Sequence, residues 1–146
     1  MFTLKQIIEI LNKENKPLNN LEYILKDYNH NDYLEYINFD DKTYKRNLIF
    51  KNSNYEILLI CWKPGQLSKI HDHPKNGCIF KMLEGQLSEF IYNKDLQLIQ
   101  LTNLNKNTVG YIDDKKGYHK IVNDLKKNAV SIHIYSPPNY TAGTYD

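Results

Sequence analysis

Two hydrophobic periods divide the chain. Between residues 3 and 38 the apolar positions recur at helical spacing: Leu4, Ile7, Ile8 and Leu11 share one face, and Leu21, Ile24, Leu25 and Tyr28 repeat the pattern after Pro17. Thr3 and Gln6 have the form of a capping box, which starts a first helix that Pro17 ends. Asn19 and Asn20 offer an N-cap for a second helix, and Asp32 for a short third one through Leu34 and Ile37. From Lys42 onward the apolar residues come in short β-branched and aromatic runs, broken by Gly, Pro and Asn-rich turns. They predict strands near 43–50, 54–62, 68–73, 78–84, 86–92, 96–101, 107–112, 119–123 and 129–136. No helical segment separates these runs, so an antiparallel sandwich or barrel is expected, and the two runs flanking Glu84-Gly85 read as a hairpin. The predicted fold is mainly β, with residues 1–40 as a small N-terminal helical cap and 41–146 as the antiparallel barrel of a single domain.

Composition changes this picture little. A chain of 146 residues is long enough for one core. Its 41% hydrophobic and 25% charged residues match an ordinary globular protein, so disorder is not expected. The 19 Lys and Arg are offset by 17 Asp and Glu with no basic run, which argues against nucleic acid as a partner. Charges interrupt the apolar residues of MFTLKQIIEILNKENK, so no signal peptide is read there. The longest apolar run, Ile57 to Trp62, is too short to span a bilayer. The expectation is a cytoplasmic monomer with no membrane partner. In that compartment Cys61 and Cys78 are expected as reduced thiols rather than a disulfide.

Candidate chemistry gathers in Gly65 to Gly85. On a strand, His71 and His73 would put both imidazoles on one face and turn Asp72 to the other, and two rings aimed at one point suggest a metal. The spacing Gly-x5-His-x-His-x4-Cys-x6-Gly resembles the first signature of the cupin barrels, with Cys78 where a Glu ligand often stands. A third ligand has to come from His30, His119 or His133. His30 lies in the helical part, where a surface role is expected. His119 followed by Asn123 resembles the second cupin signature, although the Pro and Gly preceding that motif are missing or displaced here. His133 lies in Ser131-Ile132-His133-Ile134-Tyr135, where alternation puts Ser131, His133 and Tyr135 on one face.

A more specific resemblance is carried by Tyr44-Lys45-Arg46-Asn47-Leu48, Cys61-Trp62, His71-Asp72-His73, Cys78 through Gly85, His119, and Ser131 through Pro138. In this order the chain resembles the cysteine dioxygenases, cupin-fold (jelly-roll) thiol dioxygenases. The resemblance implies an Fe(2+) cofactor on His71, His73 and His119, leaving about three positions open on an octahedral ion for a thiolate, an amine and O2. With no carboxylate ligand the site would be more positive, which suits a thiolate. Arg46 matches the family's carboxylate-binding arginine, and a planar guanidinium can grip a carboxylate in bidentate fashion. Related enzymes that prefer 3-mercaptopropionate carry Gln at that position, so the expected substrate is L-cysteine, oxidised with O2 to cysteine sulfinate in cysteine catabolism and taurine biosynthesis.

Tyr44 would share the substrate face, Tyr135 would place its phenol near substrate and O2, and His133 with Ser131 behind it would orient Tyr135. Cys78 matches the family cysteine that forms a thioether crosslink with the active-site tyrosine, here Tyr135. Trp62 and Cys61 are read as core. The sequence stops soon after Tyr135, where family members usually continue, so an exposed sheet edge or a more open mouth is expected. Other readings are a dioxygenase for 3-mercaptopropionate or cysteamine, or a cupin that binds metal or a small anion without turnover.

Overall fold

A computed structural model describes residues 2–145. The capping box at Thr3 forms: its Oγ1 accepts from Gln6 N at 3.2 Å, and Gln6 Oε1 accepts from Thr3 N at 2.9 Å. Helix α1 runs Leu4–Lys13 and buries Leu4, Ile7 and Leu11. The second helix is broken more than its period predicts. A 3-10 turn, Leu18–Asn20, holds the two asparagines inside it, so neither can cap α2 at Glu22–Lys26. The third element is a 3-10 turn at Asp32–Tyr36, and Asp32 does not cap it. Its carboxylate instead accepts from Leu4 N at 2.8 Å and from Tyr28 Oη at 2.6 Å, tying this turn to the start of α1 and to the chain just past α2.

Among the described residues eight strands follow: β1 Lys45–Lys51, β2 Glu56–Trp62, β3 Cys78–Glu84, β4 Leu87–Tyr92, β5 Leu98–Leu104, β6 Val109–Ile112, β7 Tyr118–Val122 and β8 Ala129–Tyr135. They make a five-stranded sheet in the order β1-β2-β8-β3-β6 and a three-stranded sheet in the order β5-β4-β7. All pairs are antiparallel. The result is a sandwich of two sheets rather than a closed barrel. Two expectations are corrected. The runs around Gly85 are not a hairpin, because β3 and β4 belong to different sheets. Gly85, at φ +74° and with no room for a Cβ beside Asn128 O, carries the chain from one sheet to the other. Residues 68–73 are not a strand either. His71 makes single bridges to His119 and Thr144, and the stretch ends at Pro74, which has no N–H to extend a ladder.

The five-stranded sheet is covered on both faces, which explains why β2 and β8 read as nearly continuous apolar runs. Ile57, Leu59, Ile79, Val130, Ile132 and Ile134 pack with the helices. Leu58, Ile60, Trp62, Phe80 and Met82 pack against Leu87, Leu104 and Ile121 of the smaller sheet. That second core is the floor of the site. No helix among the described residues is long and apolar enough to cross a membrane.

Candidate metal centre

His71 and His119 are brought together by backbone. His71 N donates to His119 O at 3.0 Å and His119 N donates back to His71 O at 3.2 Å, the double exchange of a directly opposed antiparallel pair. His73 arrives from two residues further along. The three rings lie 4.5 to 5.3 Å apart between centroids. One nitrogen from each lies within 4.8 Å of the others, close enough to hold one ion.

Two of the rings are also held from behind, a feature that ligand spacing does not reveal. His71 Nδ1 is 2.8 Å from Lys69 O. His119 Nδ1 is 2.9 Å from Glu89 Oε2, both groups being buried. Glu89 lies on β4 diagonally across from His119, since the register opposes Ile91 to His119 and Glu89 to Ile121. Asp114 Oδ1 accepts from His73 N at 2.8 Å and sits 3.4 Å from His73 Nδ1, off the hydrogen-bond line. Holding a ring by one nitrogen aims the other at the ion and fixes the tautomer. Among the described residues neither ring nitrogen of buried His73 finds a hydrogen-bond partner, which is expensive for a polar group unless an ion takes one of them.

Burial lowers the affinity of His73 and His119 for protons. It pushes His73 down to about 2, with His119 and His71 adding to the effect, and holds His119 well below the ordinary imidazole value. The depressed values favour the neutral form of these two rings, the form a metal requires. Burial pushes the Glu89 carboxyl up to about 7, with Lys116 pulling the other way.

Beside the rings lies a cavity of about 340 Å³ walled by Tyr44, Arg46, Leu67, His71, Ala142 and Thr144. Arg46 Cζ stands 5.5 Å from the centre of the Tyr135 ring. Tyr44 stacks on Trp62 at 4.5 Å. Cys78 and Tyr135 are directly opposed across β3 and β8. Burial, followed by the neighbouring Cys78, pushes the Tyr135 phenol up, and burial does the same to the Cys78 thiol. His133 lies nearly parallel to Tyr135, at 9° and 5.9 Å between centroids. Its Nε2 is 2.8 Å from Ser131 Oγ and its Nδ1 3.7 Å from Cys78 Sγ. Trp62 Nε1 donates to Ser131 Oγ at 3.1 Å, leaving the hydroxyl hydrogen for His133 Nε2. Trp62 is thus core, and also holds this chain of contacts. Cys61 and Cys78 are both buried free thiols, and His30 is exposed in the helical part.

Asp72 is turned away from the rings, as alternation predicts, but it is far from idle. Its carboxylate accepts from Gly143 N, Tyr140 Oη and Tyr145 Oη, each at 2.7 Å. Burial raises its proton affinity, and these donors outweigh that and leave it below the usual carboxylate value. Glu89 was within reach of sequence reasoning, as a lone acid in a strand, but the alternation of β4 alone does not say which ring it faces. Asp114, Tyr140, Gly143 and Tyr145 carry no signal in sequence because they meet the site only after the chain has folded back.

Two antiparallel sheets with three convergent histidines at one rim define a metal-binding cupin. Solved structures agree on the fold. An uncharacterized conserved protein with a double-stranded β-helix domain from Klebsiella pneumoniae matches at TM-score 0.66 and 15% identity, over 81% of this chain and 92% of its own. The chain belongs to the cysteine dioxygenase type I family, whose profile matches residues 2–146. It is 30% identical to cysteine dioxygenase type 1 of Danio rerio over 98% of this chain and 77% of that protein. With the Bos taurus protein of the same name it is 32% identical, over 99% and 79%.

Proposed function

We infer that this chain oxidises L-cysteine with dioxygen to cysteine sulfinate, using Fe(II) held by His71, His73 and His119. The observation that carries the reading is the joining of two devices: three imidazoles placed to hold one ion, and a cavity beside them that His71 and Arg46 both line. Fe(II) there would supply the place where the thiol sulfur and dioxygen meet. The remaining work belongs to the chain. Arg46 binds the substrate carboxylate through its two-pronged guanidinium, and its stacking near Tyr135 fixes the direction it points. Tyr44, braced on Trp62, bounds the same wall. Tyr135 keeps its proton at neutral pH and so presents a hydrogen-bond donor, oriented by His133 and, behind it, Ser131. The walled cavity supports a small free thiol as substrate.

The cross-strand opposition of Cys78 and Tyr135 supports a thioether between Sγ and the ring carbon next to the hydroxyl. Forming it removes one hydrogen from sulfur and one from the ring, with dioxygen as oxidant. The bond would fix the phenol and remove a thiol that could compete for the metal.

Oxygen uptake by the Fe(II)-loaded protein tests the reading. Uptake with cysteine exceeding that with 3-mercaptopropionate or cysteamine is the expected result. Preference for another thiol would reassign the substrate, and uptake with none of the three would leave a metal-binding cupin without this activity.

A further inference from the structure

The segment following β8 returns to the metal centre and is fastened there. Tyr145 N donates to Ile70 O at 3.0 Å and Asp72 N donates to Gly143 O at 3.1 Å. His71 is therefore bridged on one side by His119 and on the other by Thr144. The side-chain contacts are stronger than these two backbone bonds. One carboxylate, Asp72, collects the Gly143 amide and both the Tyr140 and Tyr145 hydroxyls. Charge makes each of these bonds stronger than a neutral one. Tyr145 also stacks on Tyr118 at 4.5 Å and 2°. Gly143 fits because it has no side chain: a Cβ there would lie 2.6 Å from Asp72 Oδ2. Between these anchors, Ala142 and Thr144 line the cavity together with Arg46 and Tyr44.

We propose that residues 140–145 form a latched wall that sets the size of thiol admitted, with Ala142 and Thr144 as specificity-determining residues and Asp72, Tyr140 and Tyr145 as the latch. This rests on the reading of the cavity as a small-thiol site. The wall is secured at the aspartate between two of the ring-bearing residues, so it stands at a fixed distance from the imidazoles. A thiol whose carboxyl end is extended, such as cysteinylglycine, meets it before its sulfur reaches them. A wall held by polar contacts can be loosened without disturbing the apolar core, and the fold keeps the two separate.

The test is the Tyr140→Phe/Tyr145→Phe double variant of the metal-loaded protein. Hydrogen exchange at the Gly143 and Tyr145 amides is expected to rise about tenfold with the strands unchanged. The ratio of kcat/KM for cysteinylglycine to that for cysteine is expected to rise about fivefold, through KM more than kcat. Thr144→Trp should move the ratio the other way. Metal content is measured throughout. Unchanged exchange would show that the hydroxyls do not hold the wall, and an unchanged ratio that the wall does not select. A loss of metal matching the loss of rate would reduce the latch to a support for His71. Thiol binding to the Co(II)-substituted protein, followed by absorption, gives the same size ratio without turnover. The latch therefore stands or falls on that ratio even if the wild type oxidises no thiol.

Discussion

At the scale of single residues, contacts behind the metal centre should matter as much as the rings. Replacing Glu89 by Gln removes the charge that faces His119 Nδ1 at 2.9 Å. Metal affinity should fall about 10- to 100-fold in a competition titration while the circular dichroism spectrum stays that of the wild type. Loss of the Arg46 guanidinium in Arg46→Ala removes a charge-assisted grip of about 1.5–3 kcal/mol. The expected result is a drop in kcat/KM for cysteine of roughly 10- to 100-fold, seen mainly in KM. Unaltered kinetics would mean the carboxylate is bound elsewhere. For Cys78 and Tyr135, intact mass after turnover with iron, cysteine and dioxygen should fall by two hydrogens, and Cys78→Ala should abolish the change. These residues differ in how readable they were. Arg46, Cys78 and Tyr135 stand in ordered local motifs, whereas Glu89 and Asp114 reach the rings only across strand pairings.

At the scale of elements, β8 is the strand on which both cores depend. It lies between β2 and β3, with Ile132 and Ile134 fully buried toward the helices and Ser131 and His133 toward the site. Ile132→Ala should cost about 2–5 kcal/mol in a denaturant titration, since the strand is flanked on both sides and cannot collapse into the space. At the edge of the fold the effect is smaller. Thr3→Ala removes one side of the capping box of α1 and should cost about 1 kcal/mol. The helical and strand runs were readable because each buries a face at its own period. The stretch 68–73 was not, because it has strand-like alternation yet pairs only through single bridges, and alternation is blind to the number of partners available. The supposed hairpin failed for a related reason: a glycine turn looks the same whether the chain pairs back on itself or crosses to another sheet.

At the scale of the molecule, the buried neutral histidines make stability depend on pH. Burial holds His73, His119 and His133 below the ordinary value. Unfolded, they titrate near about 6.5. Below that pH the unfolded chain binds protons the folded chain refuses, so stability is full above it and falls as the pH drops toward the depressed folded values. The slope is about 1.4 kcal/mol per pH unit for each histidine, and Glu89, whose raised value makes the folded chain the stronger proton binder below about 7, offsets one of the three. Thermal melts of the metal-free protein should show Tm steady above neutrality and declining through mild acid. A flat profile would mean that the rings accept protons in place. Added metal ion should raise Tm by binding only the folded form, and a chelator should reverse the gain.

What the sequence determined by itself was whatever local order encodes: the two hydrophobic periods, the ring-bearing motifs in their order, and the face shared by Ser131, His133 and Tyr135. Those features depend on neighbours a few positions apart, where the side-chain period of helix or strand is fixed by backbone geometry. Tertiary structure decided which sheet each strand joins, which carboxylate stands behind which imidazole, and where the segment after β8 comes to rest. Asp72 shows the difference. Alternation in the sequence turned it away from the rings, and only the returning chain, with two tyrosines and the one residue lacking a Cβ at that point, gave its carboxylate something to hold.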